Sequence, residues 1–433
     1  NKELTKVVTI GFNEDWGINF DWDTFEEYVD AIFARGQSIN VAPLVPHGAV
    51  RLAAMGFEAR EPTSSELEMM KSLVADAMSA GAVGFSTGLE YSPGQHANED
   101  ELVALAEVSA RYGGCYASHI RNRGDHFEDA VKEALEVGYK AGLPVQLSHL
   151  APRPYAPQGT FDRVLDAINL ARNGGQKVGI DTFPDPWGPA HLTDLLPPWV
   201  HEGPKSEVVS RLEDPLTAEK CRDYVENPTN FLLRLGSFTN FYLTDSKSHP
   251  EFIGSSLEEI SKILKLNRTQ TILRLASDDG QDFAGVLIRH IFANQEDLDK
   301  LLLDPYCSVG SDGVATSIDG ILRGLSMNRS SFGYAPRFIR EYVLDRKMIG
   351  LDEAIRKLTS LPAQSVQLRG RGGLNPGMSA DLVVIDMNEL RDNSTDDVPQ
   401  AYPSGIEMVM VNGEIVFEAG EHTQLVPGEL VQI

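Results

Sequence analysis

Three residues that could carry metal chemistry each stand at the end of a predicted β-strand. His119 and His149 each follow a serine in an apolar run, C-Y-A-S-H-I and V-Q-L-S-H-L, and Asp312 ends the run C-S-V-G-S-D. Imidazole and carboxylate groups ligate zinc, and bound zinc lowers the pKa of water to about 7. If the strands lie in one parallel sheet, their carboxyl ends meet at one edge. The three residues therefore predict part of a metal-dependent hydrolase site.

Each of these residues also has a structural interpretation. A single histidine at a strand end is more often a hydrogen-bonded structural residue than a ligand. Two Ser-His pairs on consecutive strands favour the ligand interpretation. Asp312 precedes a glycine, so by itself it could simply form a turn. His47 and His290, which also lie near strand ends, are expected to be structural.

The elements that must position these residues follow a regular alternation from about residue 40 onward. Successive predicted strands lie roughly 30 to 40 residues apart, which is the size of one βα unit. Repeated βα units predict a parallel sheet covered by helices, and such a sheet can close into a barrel. The strands are expected at 40–45, 82–87, 115–120, 144–150 and 177–183, and the helices at 64–80, 98–112, 125–141 and 161–173.

Two regions depart from the alternation. Residues 185–255 are rich in proline and charge, and they predict an insertion over one barrel mouth. Strands at 285–291 and 306–312 then resume the series. From about residue 380 short β runs follow one another, with Asn412-Gly413 as a two-residue hairpin turn. The expected domains are a barrel over 1–378 and a small C-terminal β unit over 379–433.

Composition excludes several classes of protein. The 433 residues carry 38 Lys+Arg and 63 Asp+Glu, and this net charge of −25 argues against a nucleic-acid partner, because phosphate binding needs clustered positive charge. Cys115, Cys221 and Cys307 cannot form a disulfide framework. No apolar run reaches the ~18 residues of a transmembrane helix, and no signal segment is recognised at the start. We therefore expect a cytoplasmic protein with a small-molecule substrate and no membrane partner.

The motifs, taken in order, resemble those of the N-acyl-D-amino-acid deacylases (D-aminoacylases) of the amidohydrolase superfamily. The resemblance runs along nearly all of the chain, and an ordered set of motifs is more specific than any single short one. The matching segments are N-V-A-P-L-V-P-H-G-A-V-R from residue 40, G-A-V-G-F-S-T-G-L-E-Y-S-P-G from 81, Y-A-S-H-I-R-N from 116, P-V-Q-L-S-H-L from 144, G-S-D-G from 310, E-A-I-R-K-L-T-S-L-P-A from 353 and N-P-G-M-S-A-D-L-V-V-I-D from 375.

The resemblance implies a distorted TIM-like (β/α)8 barrel that binds one or two zinc ions, with a small β-sandwich built from both ends of the chain. It implies that His119 and His149 are metal ligands, since they occupy the histidines of the family's Y-x-(S/T)-H-x-R and S-H motifs. Asp312, the aspartate of S-D-G, is implied to be the catalytic acid and base. A metal-activated water would attack the amide carbonyl, and Asp312 would carry its proton to the leaving nitrogen.

The chain departs from the family in its metal ligands. The family's first barrel strand ends in His-x-His, and a cysteine on the next strand is its firmest zinc ligand. This sequence contains no His-x-His and no cysteine before Cys115. The simpler expectation is that the sequence begins after those elements, in which case residues 379–433 would also lack their partner strands in the sandwich. The alternative is that the metal site is incomplete.

The family's substrate-carboxylate clamp is altered as well. Its lysine in S-H-x-K is Ala151 here, and its H-P-R segment reads Asn328-Arg329-Ser330. Each lost charge-assisted hydrogen bond costs about 1.5–3 kcal/mol. Arginines 121, 123, 153 and 329 could replace the clamp, and the residues expected to contact substrate are Arg121, Arg329 and Tyr91.

These features predict a metal-dependent hydrolase of the amide bond in N-acyl-D-amino acids or similar small carboxylated amides. One alternative is a cyclic-amide hydrolase of the hydantoinase or dihydroorotase type. Those enzymes usually need a carboxylated lysine between two metals, and no lysine ends the strands at 82–87, 115–120 or 144–150. The other alternative is a non-catalytic homologue with an incomplete metal site.

Overall fold

The computed structural model of the protein describes residues 21–201, 205–226, 238–315, 317–319, 329–395 and 398–433. Its described strands fall into three sheets, one parallel and two antiparallel. The strands are β1 Val45–Pro46, β2 Gly84–Gly88, β3 Cys115–His119, β4 Val145–Leu147, β5 Val178–Thr182, β6 Trp187–His191, β7 Phe241–Asp245, β8 Leu287–Ile291, β9 Cys307–Val309, β10 Leu382–Ile385, β11 Ile406–Val411, β12 Glu414–Glu418 and β13 Glu421–His422.

The helices begin and end where local sequence signals place them. Thr63 and Glu66, for example, form a capping box at the start of the third helix, and the Asn98 side chain caps the fourth. None of the described helices is long and apolar enough to cross a membrane. The α-helices are α1 Phe25–Phe33, α2 His47–Met55, α3 Ser64–Ser79, α4 Glu99–Arg111, α5 Phe127–Ala141, α6 Thr160–Asn173, α7 Pro198–His201, α8 Lys205–Glu213, α9 Pro215–Val225, α10 Leu257–Leu264, α11 Arg268–Asp278, α12 Gln295–Leu303, α13 Ser330–Phe338, α14 Leu351–Leu358 and α15 Ser360–Ser365.

The parallel sheet has six strands in the order β1-β2-β3-β4-β5-β9. Its strands bury apolar side chains such as Phe85, Tyr116 and Ile180, and helices α3 to α6 pack against it to form the largest core. The α/β class, the parallel sheet and the C-terminal antiparallel unit are confirmed. Among the described residues the sheet stays open, since β1 and β9 lie at its two ends, so six of the eight predicted barrel strands are represented.

The predicted strand at 285–291 belongs to a different sheet from the one expected. Strand β8 lies between β6 and β7, paired antiparallel to both, with His290 opposite Gly188 on one side and Phe241 on the other. This unit has its own apolar core, formed by residues between Leu192 and Ile288. The segment inserted after β5 therefore extends to residue 291 rather than 255, because β8 completes its sheet.

The C-terminal strands β10 to β13 form an antiparallel sheet in chain order. The predicted turn joins β11 to β12, and both of its residues have positive φ, 50° at Asn412 and 87° at Gly413, as a two-residue hairpin requires. Single bridges join Gln37 to Pro427 and Val41 to Leu430. The segment that precedes β1 is thus tied to the end of the chain.

Candidate active site

The structure brings the three predicted residues into one cavity at the carboxyl edge of the parallel sheet. His119 ends β3, His149 follows β4 and Asp312 follows β9. The cavity has a volume of about 260 Å³, and these three side chains line it together with Asp181 and Phe183 from the end of β5. Strand-end position was therefore a sufficient signal to predict that these three residues line one cavity.

The two histidines face each other across a short gap. Nδ1 of His119 lies 2.9 Å from Nε2 of His149, and the ring centroids are 4.5 Å apart. Two zinc–nitrogen bonds of about 2.0–2.1 Å at a tetrahedral angle hold their nitrogens about 3.3 Å apart, so the gap would need to widen by about 0.4 Å. The pair therefore fits as two ligands of one zinc ion.

The backbone at this edge is held in an unusual conformation. His149 has φ of 35° and Asp312 has φ of 48°, both in the left-handed region that costs a non-glycine residue about 1–3 kcal/mol. The Asp181 carboxylate accepts a hydrogen bond from the His149 backbone N–H at 2.7 Å and another from the Gln146 side chain at 2.6 Å. Asp181 thus fixes the direction in which His149 leaves the strand.

Burial disfavours the charged form of both histidines. Burial lowers the pKa of His119 below its usual value, and the hydrogen bond to Glu90 offsets this only in part. Burial lowers the pKa of His149 further, and neighbouring His119 and Arg123 add to the effect. A neutral imidazole is the form that binds metal, so the electrostatics favour ligation.

Asp312 is suited to proton transfer. Asp312 lines the cavity and is exposed to solvent there, although protein atoms pack around its carboxyl. The resulting partial desolvation raises its pKa to about 7, with Arg123 opposing the rise and Asp181 adding to it. A carboxyl group that titrates near neutral pH can accept a proton in one step and return it in the next.

Glu90, which follows β2, is a residue of the site that the sequence did not single out. Its Oε2 lies 2.8 Å from Nε2 of His119, 3.3 Å from Nη2 of Arg153 and 3.7 Å from Nη2 of Arg123. Burial alone would raise its pKa, but Arg153, His119 and Arg123 outweigh burial and keep the carboxylate ionised. Its position after a strand, like that of the histidines, was the available signal.

The predicted substrate contacts divide into two groups. Tyr91 lies at the site, with its ring centroid 4.8 Å from that of His119. Arg121 does not contribute to the cavity, because its guanidinium donates to Glu133 and to the carbonyl oxygens of Gln95 and Ala97. The structure therefore places the Arg121 side chain outside this cavity, since a motif position does not reveal which way a long side chain turns.

Arg329 immediately precedes α13, and its side chain pairs with the carboxylate of Asp185. Its Nε donates to Asp185 Oδ2 at 2.7 Å, and Arg337 donates to the same oxygen at 2.6 Å. The side chain of Arg329 remains 26% exposed, whereas that of Asp185 is 1% exposed. Ala151 is fully buried, and Asn328 lies outside the described residues.

His47 and His290 lie outside the pair. His47 Nε2 bonds to Glu101 Oε1 at 2.8 Å, and Arg51 binds the other oxygen of the same carboxylate, all three side chains being buried. His290 is buried on β8 and hydrogen-bonds the carbonyl oxygen of Ile291. Both contacts fit the structural interpretation.

Within the described ranges no group of three or more His, Cys, Asp or Glu side chains is arranged to hold a metal ion. The His119–His149 pair would supply two nitrogen ligands, fewer than the three protein ligands that a catalytic zinc site uses. Cys115 and Cys307 lie on β3 and β9 but are fully buried in the core, and burial raises the pKa of the Cys115 thiol to about 11.

Comparison with known proteins relates the chain to a group of enzymes. Residues 256–417 match the amidohydrolase family. The N-acyl-D-glutamate deacylase of Alcaligenes xylosoxydans xylosoxydans is 34% identical over 390 residues, covering 90% of this chain and 69% of that protein. The N-acyl-D-aspartate deacylase of the same organism is 30% identical over 405 residues, covering 93% and 70%.

A solved structure extends the similarity to the fold. The crystal structure of N-acyl-D-glutamate deacylase from Bordetella bronchiseptica, complexed with zinc and a phosphonate inhibitor that mimics the tetrahedral intermediate, matches with a TM-score of 0.76 at 30% identity. The match covers 95% of this chain and 75% of that one. The strands that carry the histidine pair and Asp312 therefore lie in a fold shared along almost the entire chain.

Proposed function

The chain belongs to the N-acyl-D-amino-acid deacylase family of amidohydrolases, and from this premise we propose that it is a zinc-dependent hydrolase of the amide bond in N-acyl-D-amino acids. The observation that carries the proposal is the 2.9 Å approach of the two imidazole nitrogens in the cavity that Asp312 also lines. His119 and His149 would hold the metal. When bound, zinc supplies Lewis acidity for the carbonyl oxygen and a lowered pKa for water.

Asp312 is proposed as the proton carrier. An ionised Asp312 accepts a proton as water attacks the amide carbonyl, and the protonated carboxyl then donates it to the nitrogen that leaves. The raised pKa of this carboxyl supports the role, because both protonation states are accessible near pH 7. Amide nitrogens leave poorly without protonation, so this second transfer is as necessary as the first.

The substrate carboxylate is proposed to lie near Arg329, with Tyr91 beside the reacting amide. Arg329 stands next to the loop that carries Asp312, and its side chain is 26% exposed. A guanidinium can bind a carboxylate through two hydrogen bonds, which fixes orientation as well as charge. Arg121 is left out of this proposal because Glu133 holds it away from the cavity.

A linear amide is favoured over a cyclic one. The relatives that match over most of the chain are deacylases of N-acyl amino acids. No lysine lines the cavity in the part of the chain that the structure describes, so the carboxylated lysine typical of cyclic-amide hydrolases has no candidate there. The same proposal includes a cytoplasmic location, which is supported by three buried free cysteines.

The test combines metal analysis with a substrate panel on the full chain. Purified protein is assayed for zinc and incubated with the N-acetyl derivatives of D-glutamate, D-aspartate, D-leucine and L-glutamate. We expect release of acetate and free amine from at least one D isomer and none from the L isomer. A protein that binds zinc but cleaves none of the D compounds would contradict the proposed activity.

A further inference from the structure

We propose that Glu90 is the positioning residue for His119: it holds Nε2 of the imidazole as a proton donor and thereby presents Nδ1, as a lone pair, to His149. The consequence for zinc affinity rests on the proposed function, but the protonation pattern itself does not. Nothing in the family motifs assigns this role, and it follows from the contacts of the described residues alone.

The first step is the direction of the hydrogen bond between Glu90 and His119. An ionised carboxylate can only accept, so the 2.8 Å contact between Glu90 Oε2 and His119 Nε2 requires the proton to be on Nε2. A neutral imidazole carries a single ring proton. Nδ1 of His119 therefore has a free lone pair, and it is this atom that faces Nε2 of His149.

The second step is what keeps Glu90 ionised and in place. Arg123 and Arg153 both lie within ion-pair distance of Oε2, and the side chains of all three residues are 3–6% exposed. Two buried guanidinium groups pair with this one carboxylate and hold it beside the ring of His119. Arg123 also donates to the carbonyl oxygen of His149 at 3.4 Å, so the same arginine contacts both halves of the histidine pair.

The third step is the asymmetry that this arrangement creates. Without a metal, Nε2 of His149 must donate to Nδ1 of His119, which leaves Nδ1 of His149 as an acceptor. In the described residues that buried atom has no hydrogen-bond partner. For both facing nitrogens to bind a cation, the ring proton of His149 must move from Nε2 to Nδ1. His119 needs no such shift, because Glu90 already keeps its ring proton on Nε2.

Glu90 is not itself placed as a ligand between the histidines. It binds the opposite edge of the His119 ring from the one that faces His149. A ring flip would be needed before its carboxylate and both facing nitrogens could reach one ion. The geometry accordingly assigns it orientation of the ligand rather than ligation.

The first experiment determines which ring nitrogen of His119 carries the proton in the metal-free full chain. Protein labelled with ¹⁵N-histidine is studied by long-range ¹H–¹⁵N NMR, with His119 assigned by comparison with His119→Gln. We expect the Nε2–H tautomer for His119. The Nδ1–H tautomer in the wild-type protein would overturn the proposal, whether or not the protein hydrolyses any substrate.

The second experiment measures zinc affinity by competition with a chromophoric chelator. Glu90→Gln keeps the shape but removes the charge, and we expect about 10–100-fold weaker binding. Glu133→Gln is the matched control, since it removes a comparable Arg–Glu pair at Arg121 away from the histidines, and its affinity should equal that of the wild type. A folded Glu90→Gln protein with wild-type affinity would overturn the proposal.

A third variant covers the case in which Glu90→Gln does not fold. Glu90→Asp keeps the negative charge between the two arginines but withdraws it by one methylene from His119. We expect a folded protein whose zinc affinity is weakened at least threefold and whose His119 signal is shifted. If His119 has the Nε2–H tautomer but the protein neither binds zinc nor cleaves the substrate panel, the proposed function fails while the positioning role stands.

Discussion

Replacing Asp312 by asparagine gives the sharpest test of the proposed mechanism. Asp312 lies at φ of 48°, a conformation that asparagine tolerates as well as aspartate does, whereas alanine would add backbone strain. The substitution therefore removes the acid and base function without disturbing the loop. General acid–base groups contribute about 10²–10⁴ in rate, so we expect kcat to fall by that factor, equivalent to about 3–5.5 kcal/mol of activation free energy.

The pH dependence of the wild-type enzyme provides an independent measurement. Partial desolvation by the surrounding protein raises the pKa of Asp312 from 3.8 to about 7, and the group must be ionised to accept a proton. With a pKa of about 7, the ionised fraction is about 9% at pH 6 and about 91% at pH 8, so kcat/KM should rise about tenfold over this range. A carboxyl with an ordinary pKa would be fully ionised throughout and would contribute no rise between the same limits.

The assay follows amine release from the best N-acetyl-D-amino acid, with zinc content measured on the same samples. Asp312→Asn should keep the wild-type zinc content, because Asp312 is not one of the two facing ligands. Loss of activity together with zinc would indicate a ligand role instead. Turnover within threefold of the wild type, with zinc retained, would refute the assignment of Asp312 as the proton carrier.

Three further predictions concern the ligands, the substrate and the supporting network. His119→Ala should abolish zinc binding while far-ultraviolet circular dichroism stays unchanged, and unchanged zinc stoichiometry by elemental analysis would contradict the ligand role. Arg329→Met should raise KM roughly 10-fold or more with little change in kcat, as expected for loss of a charge-assisted bond to the substrate carboxylate; an unchanged KM would remove Arg329 from the clamp. Glu101→Gln should destabilise the protein by about 3–5 kcal/mol, because it leaves Arg51 buried beside a neutral amide, with zinc content preserved. A melting temperature within 1 °C of the wild type would contradict that estimate.

The local part of the fold could be predicted because its signals are local. Alternating apolar runs and capping residues placed β3, β4 and the helix between them within a few residues of their observed ends. Strand-end position then sufficed to predict that His119, His149 and Asp312 lie close together, since parallel strands bring their carboxyl ends to one edge. The spacing of apolar residues along one helix or strand extends over only a few positions and reflects which side chains are buried, so the sequence pattern alone reveals it.

What could not be predicted depends on contacts between distant segments. The sequence of β8 is as apolar as that of a barrel strand, and only its partners β6 and β7 determine that it lies in the inserted sheet. The direction of Arg121 is decided by Glu133 on α5, and that of Arg329 by Asp185 after β5. Long charged side chains can reach many partners, so a motif position fixes their backbone but not their contacts.

The strand order explains how the histidine pair is held at both sides. In the sequence β2-β3-β4-β5, the inner strands carry the two histidines and the outer strands carry a carboxylate each. Glu90, after β2, fixes His119 through its side chain, whereas Asp181, at the end of β5, fixes His149 through its backbone N–H. The two histidines are therefore constrained differently: His119 in its protonation pattern and His149 in its backbone direction. A substitution of Glu90 should consequently alter metal affinity with little effect on the loop, whereas one of Asp181 should disturb the loop itself.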